Sequence, residues 1–255
     1  IEEFPAQIAQ VALWLVDHQM NLRVSEEFGQ YFARIPLVTS PRIVHGNALT
    51  LDWNEVLPAA RCSYVLGNPP FVGAKFMDDA QRGDTRAVFA GMDNAGLLDF
   101  VAAWYVKAAR FIKDSDKANE YGDSVPIRCA FVSTNSITQG EQVGVLWGWL
   151  LGQGVHIQFA HRTFSWTNEG RGKAAVHCVI VGFGLQDRPG KVIYEYADIK
   201  GLPHAVPAAN INPYLVDAPD VVLPRRSKPI CDVPEIGIGN KPIDDGNYLF
   251  TTAER

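Results

Sequence analysis

The sequence predicts an α/β fold in which helices cover both faces of a sheet. Segments with apolar residues at helical spacing alternate along the chain with short apolar runs of strand length, an order typical of such sheets. One of these runs, at 64–67, leads directly into Asn68-Pro69-Pro70-Phe71. Because proline has a fixed φ and no N–H, the chain must leave the sheet at this point. Ligands of open α/β sheets bind at the carboxyl ends of the strands, so the tetrapeptide is a candidate functional site.

The other elements follow from apolar periodicity. A first helix is expected over 4–21, where Ile8, Val11, Leu15 and Val16 recur at helical spacing, and further helices at about 95–113 and at 139–153. The apolar runs predict strands near 42–45 and at 63–67, 127–133, 155–160, 174–184 and 191–196.

Two stretches lack such periodicity. Residues 74–93 are polar and are expected to form a long loop that faces a substrate. After about residue 200 the pattern gives way to proline-rich segments. We therefore expect one domain over 1–200 and a connector over 201–255.

The composition is that of a globular protein able to bury a core, since 47% of the 255 residues are hydrophobic and 20% are charged. No apolar run approaches the roughly 20 residues that cross a bilayer, so no membrane partner is expected. The four cysteines form no Cys-x-x-Cys pair, which predicts reduced thiols in a cytoplasmic protein and no metal site. The net charge of −5 argues against DNA binding unless a basic face lies on an acidic body.

The chemistry that the tetrapeptide suits is methylation of an exocyclic amino group on a planar substrate. The side-chain oxygen of Asn68 and the carbonyl of Pro69 can each accept one amino hydrogen, which aims the nitrogen lone pair at an electrophilic methyl group. Phe71 can stack on the substrate ring, as aromatic residues do with flipped bases. The alternative interpretation is an ordinary turn after a strand, with one buried phenylalanine.

Neighbouring segments favour the first interpretation. The tetrapeptide resembles the Asn-Pro-Pro-aromatic motif of the S-adenosylmethionine-dependent methyltransferases that act on amino groups. Segments that resemble other parts of these enzymes stand in the same order at 43–49, 97–105, 128–135, 164–166 and 173–183. The last two are similar to the aromatic loop and following strand of the adenine-specific DNA enzymes. Over about residues 1–185, the chain resembles the large bacterial DNA methyltransferases related to MmeI-like restriction–modification proteins.

This resemblance implies a Rossmann-like class I methyltransferase sheet and a reaction. The reaction is transfer of a methyl group from S-adenosylmethionine to adenine N6 in duplex DNA, after base flipping. Asn68-Pro69-Pro70-Phe71 would form the catalytic loop, and Phe164 would stack on the opposite face of the adenine. Trp166 takes that role if the register of the aromatic loop is shifted.

The resemblance also implies binding residues. Cofactor contacts are expected from Glu2, Asn47, Ala48, Asn68 and Asp99, with Asn47 hydrogen-bonding the adenine of the cofactor.

Basic residues near the aromatic loop are candidates for contacts with DNA phosphates, although arginine and lysine in a Gly-rich segment are equally often only solvated. They are Arg162, Arg171 and Lys173. His177 lies within a predicted strand and is expected to be a packed histidine rather than a catalyst.

One departure from the family pattern concerns the cofactor. The family begins with a Gly-rich loop after its first strand, and no such loop precedes the segments that match here. We therefore expect a fragment of a longer protein that lacks the cofactor-loop strands and is inactive alone. The ribose carboxylate is then expected upstream of Ile1, with Glu2 as the candidate within the chain.

The expected partner is double-stranded DNA, together with a fused or associated nuclease, in a bacterial cytoplasm. The resemblance also implies a target-recognition region that starts within 201–255, after the connector. Two alternatives remain open. One is an amino-group methyltransferase that acts on RNA or on a protein glutamine. The other is a non-catalytic DNA-binding scaffold within a restriction complex.

Overall fold

The computed structural model describes residues 3–29, 41–117, 126–166, 176–223, 228 and 231–233. The chain divides into two compact units, 1–223 and 224–255. The helices and strands given below all belong to the first unit. In the second unit the described residues are few, and Cys231 among them is exposed.

The described part of the first unit contains a six-stranded sheet in the order β1-β2-β4-β3-β5-β6. Strands β1 and β2 are parallel, as are β3 and β5, and the other neighbouring pairs are antiparallel. The expected α/β class is confirmed. The strands are β1 (Tyr64–Gly67), β2 (Arg128–Thr134), β3 (His156–Trp166), β4 (Val176–Gly184), β5 (Lys191–Glu195) and β6 (His204–Ala208).

This topology brings several chain ends to one edge. The carboxyl ends of β1, β2, β3 and β5 lie there, together with the first residues of β4 and β6. We refer to this edge as the site edge.

The helices are α1 (Glu3–Phe28), α2 (Trp53–Val56), α3 (Asp79–Val88), α4 (Ala102–Lys117) and α5 (Gly140–Gly152), with 3₁₀ turns at Ala59–Arg61, Ala95–Leu97 and Asn135–Thr138. None of the described helices is long and apolar enough to cross a membrane.

The core lies where α4 and α5 pack against the sheet. The Tyr105 ring of α4 stacks on Phe183 of β4 at 5.3 Å and meets the edge of Phe131 of β2 at 5.2 Å. Its hydroxyl is 2.8 Å from the buried Ser133 Oγ. Trp147 of α5 contacts the same ring and donates from Nε1 to the carbonyl of Ile137. This side of the sheet is therefore a rigid support for the loops at the site edge.

Helix α5 confirms the expected helix at 139–153, and its predicted core residues Val143, Leu146, Trp147 and Leu150 are all buried. The first helix is confirmed and continues to Phe28. Its apolar residues Ile8, Val11, Leu15 and Val16 are exposed. Periodicity predicts a helix, but it does not predict which element will cover the apolar residues.

Two further expectations were wrong. Residues 41–45 form no strand, because they pair with no strand in the described part of the chain. The stretch 74–93 contains helix α3, which begins with a capping box between Asp78 and Gln81. The proline-rich region after residue 200 contains β6, an edge strand of the described sheet in which the exposed Pro207 is tolerated. The boundary at residue 200 remains a prediction.

Candidate active site

The tetrapeptide Asn68-Pro69-Pro70-Phe71 directly follows β1 at the site edge. Asn68 and Pro70 are exposed, Pro69 is buried and Phe71 is half-buried. The entry to the loop is tightly packed, because a Cβ on Gly67 would lie 3.2 Å from the ring of Phe131. A side chain that faces solvent therefore projects from a backbone that is fixed on the core, which is the arrangement required of a rigid hydrogen-bond acceptor.

The other end of the loop is held by the segment before α4. The amide of Phe100 donates to the carbonyl of Val72 at 2.9 Å, and the amide of Ala74 donates to Oδ1 of Asp99 at 2.8 Å. A turn follows, closed by the hydrogen bond from the Phe76 amide to the Gly73 carbonyl. The loop is thus fixed on both sides of the tetrapeptide.

Asp99 also contacts the turn that follows β2. Its Oδ2 accepts from Ser136 Oγ at 2.5 Å, and its backbone amide donates to Gln142 Oε1 at 3.0 Å. The hydroxyl of Ser136 is in turn 2.8 Å from Thr134 Oγ1. Both carboxylate oxygens of Asp99, a predicted cofactor ligand, are therefore engaged by the protein itself.

Asn47, the predicted adenine ligand, forms a turn. Its Oδ1 accepts from the amide of Leu49 at 3.0 Å, and its Nδ2 donates to Asp84 Oδ2 at 2.6 Å. The turn is also anchored by Lys107, whose ammonium group donates to the carbonyls of Leu49 and Leu51 at 2.7 and 2.5 Å. Partial burial lowers the pKa of Lys107, and the nearby Asp52 partly opposes that shift.

An open cavity of about 340 Å³ lies between this turn and β1. Its walls are largely apolar and include Ala48, Val65 and Leu66. Such walls suit a planar heterocycle. The side-chain oxygen of Asn47 has two lone pairs, and the amide of Leu49 uses one of them. The oxygen can therefore accept a second hydrogen bond.

Phe164 and Trp166 lie in β3 and not in a loop, which corrects the sequence interpretation. Phe164 pairs with Cys178 of β4, and the register shifts between His161 and Phe164. Such an irregularity twists a strand and redirects its side chains. Pairing with β4 therefore continues past the expected end of the strand, to the site edge.

The ring of Phe164 stacks on Tyr196, with centroids 5.2 Å apart and planes at 21°. The Trp166 ring lies at a tilt, 6.1 Å from Phe164. The two predicted aromatic groups, Phe71 and Phe164, thus belong to the same edge of the sheet.

Tyr196 belongs to a small aromatic cluster behind Phe164. His161 stacks on Tyr194 at 4.2 Å and 9°, and His161 Nδ1 is 2.8 Å from the Tyr196 hydroxyl. Burial lowers the pKa of His161 and raises that of Tyr196. Both groups are therefore neutral at pH 7.

Of the predicted DNA-backbone residues, Arg162 is described. Its guanidinium forms an ion pair of 3.0 Å with Glu195, and both side chains are well exposed. Arg171 and Lys173, like Glu2, lie outside the described residues. His177 is exposed in β4, so the expectation that it is packed was wrong.

Sequence reasoning missed several residues at this edge. Ser136 and Gln142 hold Asp99, Tyr196 supports Phe164, and Phe76, beyond the tetrapeptide, is 84% exposed. A detectable signal existed for Ser136, since it follows a strand that ends at the same edge as the tetrapeptide.

The chain is similar to known proteins over its whole length. The sequence model of the family described as MmeI, DNA-methyltransferase domain, matches residues 1–195. DNA methyltransferase A of Bacillus subtilis (strain 168) is 37% identical over 257 residues, which cover 100% of this chain and 28% of that protein.

Among solved structures, the type IIL restriction–modification enzyme MmeI in complex with DNA is 59% identical, with a TM-score of 0.84. The match covers 100% of this chain and 33% of the MmeI chain. The chain thus spans about a third or less of the length of these two relatives.

Proposed function

Because the chain belongs to the family of MmeI DNA-methyltransferase domains, we propose that it transfers a methyl group from S-adenosylmethionine to N6 of adenine in double-stranded DNA, as part of a restriction–modification system. The observation that carries this proposal is the position of Asn68-Pro69-Pro70-Phe71 at the carboxyl end of β1. Its exposed Asn68 stands on a buried Pro69, so the acceptor atoms have a fixed direction.

The catalytic task of the loop is to orient an amino group. The lone pair of an aromatic amine is delocalised into its ring, which makes the amine a poor nucleophile. When Asn68 Oδ1 and the Pro69 carbonyl each accept one amino hydrogen, the nitrogen becomes more tetrahedral and its lone pair points toward the cofactor. S-adenosylmethionine, when bound, supplies an electrophilic methyl group on a sulfonium.

The described residues fit the adenine end of this cofactor. The cavity beside β1 has apolar walls that include Gly46 and Ala48, the residues on either side of Asn47. The side-chain oxygen of Asn47 retains acceptor capacity. The bonds from Lys107 to the carbonyls of Leu49 and Leu51 keep this turn in place. We assign Asn47 and Ala48 to the adenine, and Asn68 to the boundary between cofactor and substrate.

The flipped adenine lies between Phe71 and Phe164 in this proposal. One face of the Phe164 ring is covered by Tyr196, and we assign the opposite face to the base. Stacking of a base on an aromatic side chain is typically worth about 1–3 kcal/mol. Trp166 remains the substitute, since it stands next to Phe164 at the end of β3.

We assign the contacts with DNA phosphates to Arg162, Arg171 and Lys173. The ion pair between Arg162 and Glu195 is exposed, and such pairs contribute little, so Arg162 can exchange its partner for a phosphate.

The test measures transfer from labelled S-adenosylmethionine to duplex DNA, RNA and protein by the full-length protein. We expect label in DNA alone, with Asn68→Ala at least about 100-fold slower and Asn68→Asp, which keeps an acceptor oxygen, intermediate. A matched control is Asn94→Gly in an exposed turn, where the positive φ of 57° suits glycine.

Label in RNA or protein, but not in DNA, would support the other amino-group substrates. A full-length protein that binds S-adenosylmethionine and DNA but labels nothing would support the scaffold.

A further inference from the structure

Asp99 is the residue that connects the catalytic loop to the rest of the site edge. Its Oδ1 accepts from the amide of Ala74, three residues after Phe71, while its Oδ2 accepts from Ser136 in the turn after β2. We propose that Asp99 is a positioning residue that fixes Asn68-Pro69-Pro70-Phe71 for methyl transfer, rather than a ligand of the cofactor. This inference rests on the function proposed above.

The direction of the hydrogen bonds supports this role. Ser136 has one hydroxyl proton, which it donates to Asp99, so Thr134 must be the donor in its contact with Ser136. Thr134, Ser136 and Asp99 thus form a chain of donors that ends at a carboxylate, which in turn accepts from the catalytic loop. Bonds to a carboxylate are roughly twice as strong as bonds between neutral groups.

The backbone of the same segment adds a second connection. The amide of Phe100 donates to the carbonyl of Val72, so residues 72 and 74 are held by two consecutive residues. Phe100 is buried, and the Asp99 amide is itself fixed on Gln142 of α5. The tetrapeptide is consequently clamped between β1, which packs on Phe131, and this segment. We call the contacts from Asp99 and Phe100 to residues 72–74 the loop clamp.

The clamp matters because the reaction requires alignment. A displacement of about 1 Å in a group that positions the substrate can cost about 100-fold in rate. Asn68 is exposed, so its direction depends on the backbone on either side of it. Loss of the Asp99 carboxylate releases that backbone at Ala74 without removing any group that touches the reacting atoms.

The experiment compares variants of the full-length protein. Asp99→Ala is expected to lower the single-turnover methylation rate about 100-fold, while the dissociation constant for S-adenosylhomocysteine changes less than about threefold. Asp99→Asn should restore most of the rate, since its amide oxygen still accepts from Ala74 and its NH₂ can donate to Ser136. Ser136→Ala, which removes one of the two bonds, is expected to lie between them.

One further measurement separates the possible outcomes. Amide hydrogen exchange at Ala74 should be slow in the parent protein, faster in Asp99→Ala and restored in Asp99→Asn. It requires no activity, so it tests the clamp even if the proposed methylation fails. The control is Asp93→Ala, at an exposed aspartate in the turn before Ala95–Leu97.

A loss of S-adenosylhomocysteine affinity of more than about tenfold in Asp99→Ala, with unchanged exchange at Ala74, would overturn the proposal and make Asp99 a cofactor ligand. If Asp99→Ala does not fold, Ser136→Ala decides: faster exchange at Ala74 with unchanged affinity for S-adenosylhomocysteine supports the proposal, and unchanged exchange with weaker affinity overturns it.

Discussion

The ring of Phe159 covers Gly182 on the neighbouring strand so closely that a Cβ at residue 182 would lie 2.0 Å from a ring atom. Phe159 and Gly182 are register partners in β3 and β4, the two strands that lead to the site edge. The central part of the sheet therefore requires a glycine at this position for lack of space, and not for its conformational freedom.

We expect Gly182→Ala to lower the free energy of unfolding by about 1–3 kcal/mol, since the half-buried ring of Phe159 must move to make room for the added Cβ. Gly83→Ala is the matched control, because Gly83 lies within α3 with no atom within 4 Å of its added Cβ. Alanine there should stabilise the helix by up to about 1 kcal/mol. Urea denaturation measures both, and a similar effect of the two substitutions would contradict the assigned contact.

Tyr196 is expected to hold Phe164 for base stacking. Tyr196→Ala removes the stacked ring and should weaken base flipping about fivefold to tenfold, in line with about 1 kcal/mol for an aromatic pair. Tyr196→Phe keeps the stack and loses only the contact between the hydroxyl and His161, so its effect should stay below about twofold. Fluorescence of 2-aminopurine at the methylated position reports flipping. Equal losses in both variants would show that the hydroxyl, and not the ring, is what matters.

Protonation of His161 is expected to destabilise the folded protein. Its pKa in the folded state lies below the ordinary value of 6.5 because of burial, so the unfolded state binds more protons between these two values. The contribution of His161 to stability should consequently be highest above pH 6.5 and fall as the pH is lowered from 6.5 to the folded pKa. Denaturation of the parent protein and His161→Phe between pH 5 and 8 measures the difference. A pH profile that is the same in both would refute this assignment.

Arg162 is expected to contact a DNA phosphate once it leaves Glu195. Arg162→Gln should weaken binding to DNA of any sequence and reduce the slope of log affinity against log salt by about 1. Glu195→Gln should have the opposite effect on affinity, because it frees Arg162. Arg61→Gln is the control, at an exposed arginine beyond the opposite end of β1. Fluorescence anisotropy at several salt concentrations gives the slopes, and a slope unaffected by Arg162→Gln would rule out the contact.

The sequence was sufficient for the features that depend on local pattern. The tetrapeptide was located because two prolines after an apolar run mark the end of a strand, and the core residues of α5, such as Trp147, follow from helical spacing. Helix α3 also had a local signal, the capping box of Asp78 and Gln81, but the polar composition of the segment concealed it.

Other features depend on contacts between distant residues. The pairing of Phe164 with β4 relies on a shift in register that no local pattern shows. The contacts of Asp99 join residues that are 25 and 37 positions apart, so a periodic pattern carries no information on them. Likewise, Tyr196 supports Phe164 only because β5 lies parallel to β3.

The central claim is that the loop at Asn68 presents the exocyclic nitrogen of adenine to the methyl donor. The most direct measurement is mass spectrometry of the nucleosides released from duplex DNA after treatment with the full-length protein and labelled S-adenosylmethionine. We expect all label in N6-methyladenine, at a rate that Asn68→Ala lowers at least about 100-fold. Label in a methylated cytosine, or in N6-methyladenine at an equal rate from Asn68→Ala, would contradict it.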